Sequence, residues 1–170
     1  MLEARFETEL WLPRPRGEVF PFFADAHNLE AITPPFLQFQ VLTPDPIVMR
    51  AGLLLDYRLK IHGLPVRWRT EIEAWEPPRR FVDRQLRGPY RLWHHTHIFE
   101  ERDGGTLCRD VVRYAAPGGP LRPLIERFFV RGDVEKIFAY RTVKLKERFG
   151  TVPGVQPGAF TPAAGRRSPA

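Results

Sequence analysis

Apolar and polar residues alternate along much of the first two thirds of the chain, which is the pattern of β-strands. The first alternating run extends from Arg5 to Leu12 and ends at Pro13. Six further runs follow between turn residues, at positions 36–42, 53–61, 65–75, 81–86, 92–101 and 106–115. Short strands in such close succession predict one antiparallel sheet of seven strands.

Helical spacing interrupts this pattern in three places. Two short helices are predicted after the first strand, at about residues 18–25 and 27–32, and Thr33-Pro34-Pro35 ends the second because a residue before proline leaves the helical region. After Pro117-Gly118-Gly119, apolar residues recur every three or four positions, which predicts a long helix over residues 121–149. Its polar positions predict a solvated face; they are Arg122, Arg127, Arg131, Lys136, Arg141 and Lys144.

This order of elements predicts an α+β fold. A wide antiparallel sheet curls, and its apolar face needs a cover that only the long helix is large enough to provide. A helix laid across a curved sheet leaves a gap, and such gaps are natural small-molecule sites. We expect one domain over residues 1–149 and a flexible tail over residues 150–170, which are rich in Pro, Gly and Ala.

One face of the hairpin at residues 79–99 mixes large aromatic and polar side chains. A buried polar group without a partner costs about 1–3 kcal/mol, so an ordinary core would not favour this mixture, whereas a lined cavity would. Side chains on a strand alternate between two faces, which assigns these residues to one of them. They are Phe81, Asp83, Gln85, Trp93, His95, His97 and Phe99.

The register between strands can be counted from the turns. A two-residue turn at Asp103-Gly104 sets His97 opposite Asp110 and His95 opposite Val112 on the next strand. Residues that are directly opposed share a face, so Asp110 is expected to accept a hydrogen bond from His97. The loop at Gly88-Pro89 predicts two further pairs, Asp83 with His95 and Gln85 with Trp93.

These residues leave three chemical interpretations open. A His97–Asp110 pair suits proton transfer on a bound carbonyl or enol, because histidine titrates near neutral pH. The same groups also suit a polar lining that orients a ligand. His95, His97 and Asp110 would be acceptable metal ligands, but this spacing is common in strands and we predict no metal and no cofactor.

Charge and cysteine content exclude other classes. The formal charge of +6 and the pI near 10.0 invite a nucleic-acid partner, but the basic residues are spread thinly and accompany no recognisable nucleic-acid motif, so none is predicted. The single cysteine, Cys108, excludes an internal disulfide and is expected to be a packed thiol. No run is long and apolar enough for a membrane span, and the N-terminus does not resemble a signal peptide, which predicts a soluble cytoplasmic protein.

Three stretches resemble the SRPBCC superfamily, nearest to its polyketide cyclase/dehydrase-like branch, which is related to START domains and to birch-pollen-allergen-like proteins. They are Asn28–Phe39 (NLEAITPPFLQF), Trp75–Glu100 (WEPPRRFVDRQLRGPYRLWHHTHIFE) and Thr106–Tyr114 (TLCRDVVRY). The resemblance covers about residues 6–149. It implies a helix-grip fold, in which a seven-stranded curved sheet wraps around a long C-terminal helix and encloses an elongated apolar cavity.

The leading hypothesis is a protein that binds a small hydrophobic or aromatic molecule, lipid-like or polyketide-like, between the sheet and the long helix. One alternative is a cyclase or dehydratase that uses His97 and Asp110 as acid and base, and another is a protein-interaction module without a small ligand. The candidate ligand-binding residues are Trp68, Asp83, Gln85, Trp93, His95, His97, Phe99, Asp110, Tyr114 and Phe128.

Overall fold

The structure, a computed structural model, describes residues 3–125 and 130–150. Its elements follow the predicted order: one strand, two short helices, six strands and then helix again. The strands are β1 (Ala4–Leu12), β2 (Gln40–Val41), β3 (Leu54–Ile61), β4 (Leu64–Glu76), β5 (Arg80–Arg87), β6 (Leu92–Arg102) and β7 (Gly105–Ala115). The helices are α1 (Arg16–Phe23), α2 (Asn28–Ala31), α3 (Arg122–Ile125) and α4 (Arg131–Phe149).

The strands form one antiparallel sheet in the order β1-β7-β6-β5-β4-β3-β2. Consecutive strands from β2 to β7 are neighbours, and the last strand, β7, also pairs with the first, β1. The two edge strands are therefore β1 and β2. The predicted α+β architecture, with seven antiparallel strands and a long C-terminal helix, is confirmed.

The counted register is confirmed where it bears on the candidate site. His97 lies opposite Asp110 and His95 opposite Val112 across β6 and β7, and Asp83 lies opposite His95 across β5 and β6. Asp103 has a φ of 50°, the left-handed conformation that a two-residue hairpin turn of this type requires. The pairing of β5 with β6 ends at Arg84 opposite His94, so the pair predicted between Gln85 and Trp93 does not form.

The second strand is much shorter than predicted. Residues 36–42 alternate well enough to be read as extended, but Pro35–Leu37 forms a 3₁₀ turn and only Gln40–Val41 pairs with β3. The cause is local: Pro34 and Pro35 begin the turn, and Gln38 adopts a φ of 44°, which breaks the extended backbone. This segment instead becomes part of the cavity wall.

Helix α4 covers the inner face of the sheet, as predicted. Near its start, Val134 and Phe138 pack against Val112 and Tyr114 of β7. Near its end, Leu145 and Phe149 join the cluster of aromatic side chains that surrounds α1. Of the helix predicted over residues 121–149, positions 126–129 lie outside the described residues, as does the tail predicted beyond Gly150.

Two predictions of the sequence concern single features. Cys108 is a buried thiol of β7, and burial raises its pKa to about 12, which fits a packed thiol rather than a nucleophile. Across residues 3–125 and 130–150, none of the helices has the length and apolar character needed to span a membrane.

Candidate functional site

A cavity of about 650 Å³ lies between the inner face of the sheet and helix α4. Much of its wall is apolar, contributed by α1, α2, the inner face of β3 and β4, and α4; examples are Phe22, Leu29, Leu55, Ile72 and Ile137. A volume of this size, with mostly apolar walls and a few convergent polar groups, is typical of small-molecule sites.

Five of the predicted ligand-binding residues line this cavity. They are Trp68, Asp83, Trp93, His95 and His97, from β4, β5 and β6. Trp68 meets Trp93 edge to face with ring centroids 5.4 Å apart, and its indole N–H donates to the Thr70 hydroxyl at 3.2 Å. The two indoles therefore present apolar surface, with the N–H of Trp68 already satisfied.

Four other predicted residues lie away from the cavity wall. Phe99 packs into the core with Phe20 and Phe23, at 5.3 and 4.9 Å between ring centroids. Gln85 closes the loop between β5 and β6, because its side-chain amide donates to the Tyr90 carbonyl at 2.7 Å. Tyr114 is buried against α4.

Asp110, the fourth of these, is buried and contacts the two imidazoles rather than the cavity. Its predicted role was that of a partner to His97, and the structure makes it a partner of both histidines. Phe128, also predicted to bind ligand, lies outside the described residues.

Asp83, His95, His97 and Asp110 form a closed group that we call the His–Asp cluster. His95 donates from Nε2 to Asp110 Oδ1 at 2.7 Å, and His97 donates from Nε2 to Asp83 Oδ2 at 2.9 Å. Two further contacts cross between these pairs: His97 Nδ1 lies 3.0 Å from Asp110 Oδ1, and His95 Nδ1 lies 3.6 Å from Asp83 Oδ2. The first of these lacks hydrogen-bond alignment and the second is too long, so neither is a hydrogen bond.

The two histidines of the cluster differ in protonation. Burial alone would lower the pKa of His97, but its contacts with Asp110 and Asp83 outweigh burial and raise that pKa above 6.5. For His95, burial and the charge of His97 lower the pKa, and the carboxylates do not reverse this. Near pH 6.5 the favoured state is therefore a protonated His97 beside a neutral His95, and the centroids of the two rings lie 3.7 Å apart.

Both carboxylates of the cluster stay ionised. Burial would raise the pKa of Asp110, but the hydrogen bond from His95 and the contact with His97 hold it well below 3.8. The pKa of Asp83 is also lowered, because the hydrogen bond from His97 and the nearby positive charges, including Arg141, outweigh its burial. Two carboxylates buried in one site need two positive charges, and His97 supplies only one of them.

Arg141 of α4 supplies the second positive charge. Its Nη1 atom lies 3.7 Å from Asp110 Oδ1, and its Cζ lies 4.9 Å from the centroid of the Phe138 ring. The sequence pattern assigned Arg141 to the solvated face of the long helix, and that interpretation is wrong, because the residue is only 7% exposed and lines the cavity. The available signal was its position three residues after Phe138, which places both side chains on one face of the helix.

Tyr57 of β3 is a second cavity residue that the sequence did not single out. Its side chain is buried and lines the cavity from the same sheet as the cluster strands. Burial, followed by the charge of Asp83, raises the pKa of its hydroxyl, so Tyr57 stays a neutral donor. In the sequence Tyr57 is a tyrosine on the inward face of an alternating strand, and ordinary core tyrosines show the same pattern, so the pattern does not distinguish a cavity residue.

The cluster has some of the chemistry of a metal site. Asp83, His95 and His97 each offer one ligand atom, and these atoms all lie within 4.8 Å of one another. However, the imidazole nitrogens face carboxylate oxygens, and Arg141 adds a positive charge 3.7 Å from Asp110. A cation would have to compete with that charge, so the geometry favours the proton-sharing arrangement.

Comparison with protein families and solved structures places this geometry in context. Residues 12–139 match the model of the family described as polyketide cyclase / dehydrase and lipid transport. A comparison with curated protein sequences finds no significant match.

Three solved structures show the same fold. The Zhui aromatase/cyclase from Streptomyces sp. R1128 is 18% identical, with a TM-score of 0.66 over 91% of this chain and 100% of that chain. The ginseng major latex-like protein 151 from Panax ginseng is 12% identical, with a TM-score of 0.65 over 88% and 99%. The protein CV1439 from Chromobacterium violaceum is 14% identical, with a TM-score of 0.65 over 86% and 97%.

At these identities the structural likeness carries the fold alone. The family match spans more than half of the chain, and the sheet, the long helix and the cavity between them agree with it. The resemblance predicted from the sequence is confirmed: the chain belongs to the polyketide cyclase/dehydrase and lipid transport family, within the SRPBCC superfamily of helix-grip proteins.

Proposed function

We propose that the protein binds one small hydrophobic or aromatic molecule, lipid-like or polyketide-like, in the cavity between the sheet and α4. The observation that carries the proposal is the cavity itself: about 650 Å³, largely apolar, with Asp83, His95 and His97 on one part of its wall. Burial of an apolar body supplies affinity, at roughly 25 cal/mol per Å² removed from water. The polar groups then fix the orientation of the molecule.

A neutral fluorescent probe, 1-pyrenebutanol, tests this proposal. We expect saturable binding of one probe per chain. Ile137→Trp places a large ring in the cavity and should weaken binding roughly tenfold or more, since overpacking of this kind costs about 1–3 kcal/mol. Val143→Trp makes the same change at an exposed position of α4 that does not line the cavity, and should leave binding unchanged.

Two results would reject the proposal. One is no saturable uptake of the probe by the unaltered protein. The other is equal weakening by both tryptophan variants, which would show that the effect comes from helix α4 in general rather than from the cavity.

The second candidate is a cyclase- or dehydratase-type enzyme, and one observation favours it. The cluster drives the pKa values of His97 and His95 in opposite directions, which pairs a proton donor with a proton acceptor on one cavity wall. His97 would act as the acid and His95 as the base. Asp110 would be a positioning residue, because it holds both rings and does not face the cavity.

Proton exchange separates this candidate from simple binding. In deuterated buffer, neutral His95 would take a C2 proton from benzoylacetone to give the enolate, and a deuteron would return to the same carbon. Faster exchange that His95→Gln abolishes and His94→Gln preserves would support an enzyme, since His94 points to the outer face. If the unaltered protein does not accelerate the exchange, the enzyme candidate is rejected and only the binding role remains.

The interaction-module alternative receives no support from the described residues, because it predicts a filled core where a cavity lies. A cytoplasmic location and the lack of a nucleic-acid partner stay predictions from the sequence.

A further inference from the structure

Arg141 is a buried cation, and two of its three guanidinium nitrogens find no hydrogen-bond acceptor among the described residues. A guanidinium carries five N–H donors and keeps its charge in any protein environment. The Nε and Nη1 atoms of Arg141 are inaccessible to solvent, and neither finds a hydrogen-bond acceptor in the described part of the chain. The contact with Asp110, at 3.7 Å, is too long to be a hydrogen bond.

The surroundings hold this guanidinium in place. Its planar group lies over the ring of Phe138, and that ring also meets His95 edge to face at 5.6 Å between centroids. Lys136 also lines the cavity from α4, but its side chain is exposed, so solvent can satisfy it. Arg141 is therefore a fixed cation that lines the cavity, and leaving its buried donors without acceptors carries a free-energy cost.

The charges around Arg141 limit what can satisfy it. The two carboxylates of the His–Asp cluster are balanced by protonated His97 and by Arg141, so the cluster as a whole is close to neutral. A doubly charged group such as a phosphate would meet two nearby carboxylates with little excess positive charge to offset it. A singly charged carboxylate meets less repulsion than a phosphate, and it accepts hydrogen bonds from the guanidinium more strongly than a neutral carbonyl or hydroxyl does.

We infer that the ligand of this cavity is an apolar molecule that carries one carboxylate, and that Arg141 binds this carboxylate. The inference rests on the proposed binding function and adds the chemical class of the ligand. The apolar body occupies the space between β3, β4 and α4, and the carboxylate lies where Arg141 and His97 meet the cavity. Arg141 is then a specificity-determining residue, since it separates acids from alcohols and esters of the same shape.

A matched pair of probes tests the inference: 1-pyrenebutyrate, which carries a carboxylate, and 1-pyrenebutanol, which does not. The unaltered protein should bind the acid roughly ten- to a hundredfold more tightly, the range expected of hydrogen bonds to a charged group. Arg141→Met keeps an unbranched side chain that resembles the aliphatic stem of arginine and removes the charge, and should reduce this preference to near unity while affinity for the alcohol is kept. Lys136→Met, the control at the other cavity cation of α4, should retain the preference.

The outcomes separate this inference from the proposed function. Equal binding of acid and alcohol by the unaltered protein, or a preference that survives in Arg141→Met, overturns the inference and leaves the cavity as a binding site. Failure to bind either probe rejects the proposed function and the inference with it.

A measurement on the unaltered protein covers the case in which Arg141→Met does not fold. The Nε–H resonance of Arg141, followed by nuclear magnetic resonance, should shift on addition of 1-pyrenebutyrate and stay in place with 1-pyrenebutanol. An Nε–H resonance that does not respond to saturating acid overturns the inference.

Discussion

The two faces of the sheet use the same types of charged residue in opposite ways. On β5, β6 and β7, three pairs of sequence neighbours place one member on each face, because side chains alternate along a strand. The pairs are Asp83 and Arg84, His95 and His94, and Asp110 and Arg109, with the inner member first.

On the outer face the charged groups meet carboxylates near the surface, and Glu73 contacts both Arg84 and His94. Arg84 donates to Glu71 at 2.7 Å, and Arg109 donates to Glu9 at 2.7 Å. Both pairs are partly exposed, so water competes for these groups and each pair contributes at most about 1 kcal/mol. These pairs stabilise the sheet weakly.

On the inner face the charges share partners and are buried. Each carboxylate of the His–Asp cluster contacts both imidazoles, and Arg141 keeps donors that no described residue accepts. The lesson of the comparison is that burial, rather than residue type, converts a charged pair into a candidate site. It strengthens each interaction and makes each missing partner costly.

The largest expected effect is on the free energy of unfolding, when one charged contact is removed from the inner face in one variant and from the outer face in another. Asp110→Asn should reduce the free energy of unfolding by about 3 kcal/mol, because only Asp83 then remains to balance the charges of His97 and Arg141. Arg109→Gln, its neighbour on the outer face, should cost less than about 1 kcal/mol. Urea unfolding of both variants measures the difference, and similar losses in both would contradict the contrast between the faces.

The next effect concerns pH. His97 should titrate above 6.5 and His95 below it, as measured by nuclear magnetic resonance of the imidazole nitrogens. The groups that face them are Tyr57 on β3, Asp83 on β5, Asp110 on β7 and Arg141 on α4.

The raised pKa of His97 sets the sign of its effect on stability. Its contribution is fully present below pH 6.5 and is lost as the pH rises through its pKa in the folded protein. His95 acts in the opposite sense: its contribution is present above pH 6.5 and is lost as the pH falls through its lowered pKa. His97→Gln should remove the loss on the alkaline side, and an unchanged stability profile in that variant would contradict the assignment.

The smallest expected effect lies at the rim of the cavity. His62, at the turn between β3 and β4, contacts Asp133 of α4 at 2.8 Å between Nε2 and Oδ2, and both residues line the cavity while remaining partly exposed. His62→Ala should speed release of 1-pyrenebutanol roughly two- to fivefold in stopped-flow fluorescence, since a partly exposed pair is worth up to about 1 kcal/mol. His27→Ala breaks a similar surface pair with Asp45 away from the cavity and should not change the rate.

Local rules predicted the fold and the core of the site. Alternation assigned His95 and His97 to the inner face, and the two-residue turn at Asp103-Gly104 fixed the register that brings Asp110 beside them. Both rules act over a few residues, so they can be read without knowing the rest of the molecule.

The predictions that were wrong depended on how the helices and loops pack against the sheet, which the pattern of a single strand or helix does not show. Arg141 has the composition of a surface residue, and only the position of α4 over the sheet shows that its charge lies against two carboxylates. Phe99 shares a face with His97, but α1 covers that end of β6 and turns its side chain into core. Gln85 shares the same face, yet the loop that follows β5 takes its amide.

The most direct test of the account is to follow the imidazole resonances of His94, His95 and His97 during addition of 1-pyrenebutanol. Variants with glutamine at each position assign the signals. The account predicts saturable shifts at His95 and His97, which line the cavity, and none at His94 on the outer face of the same strand. Saturable binding that leaves both inner histidines unmoved, or moves all three alike, would contradict a ligand site at the His–Asp cluster.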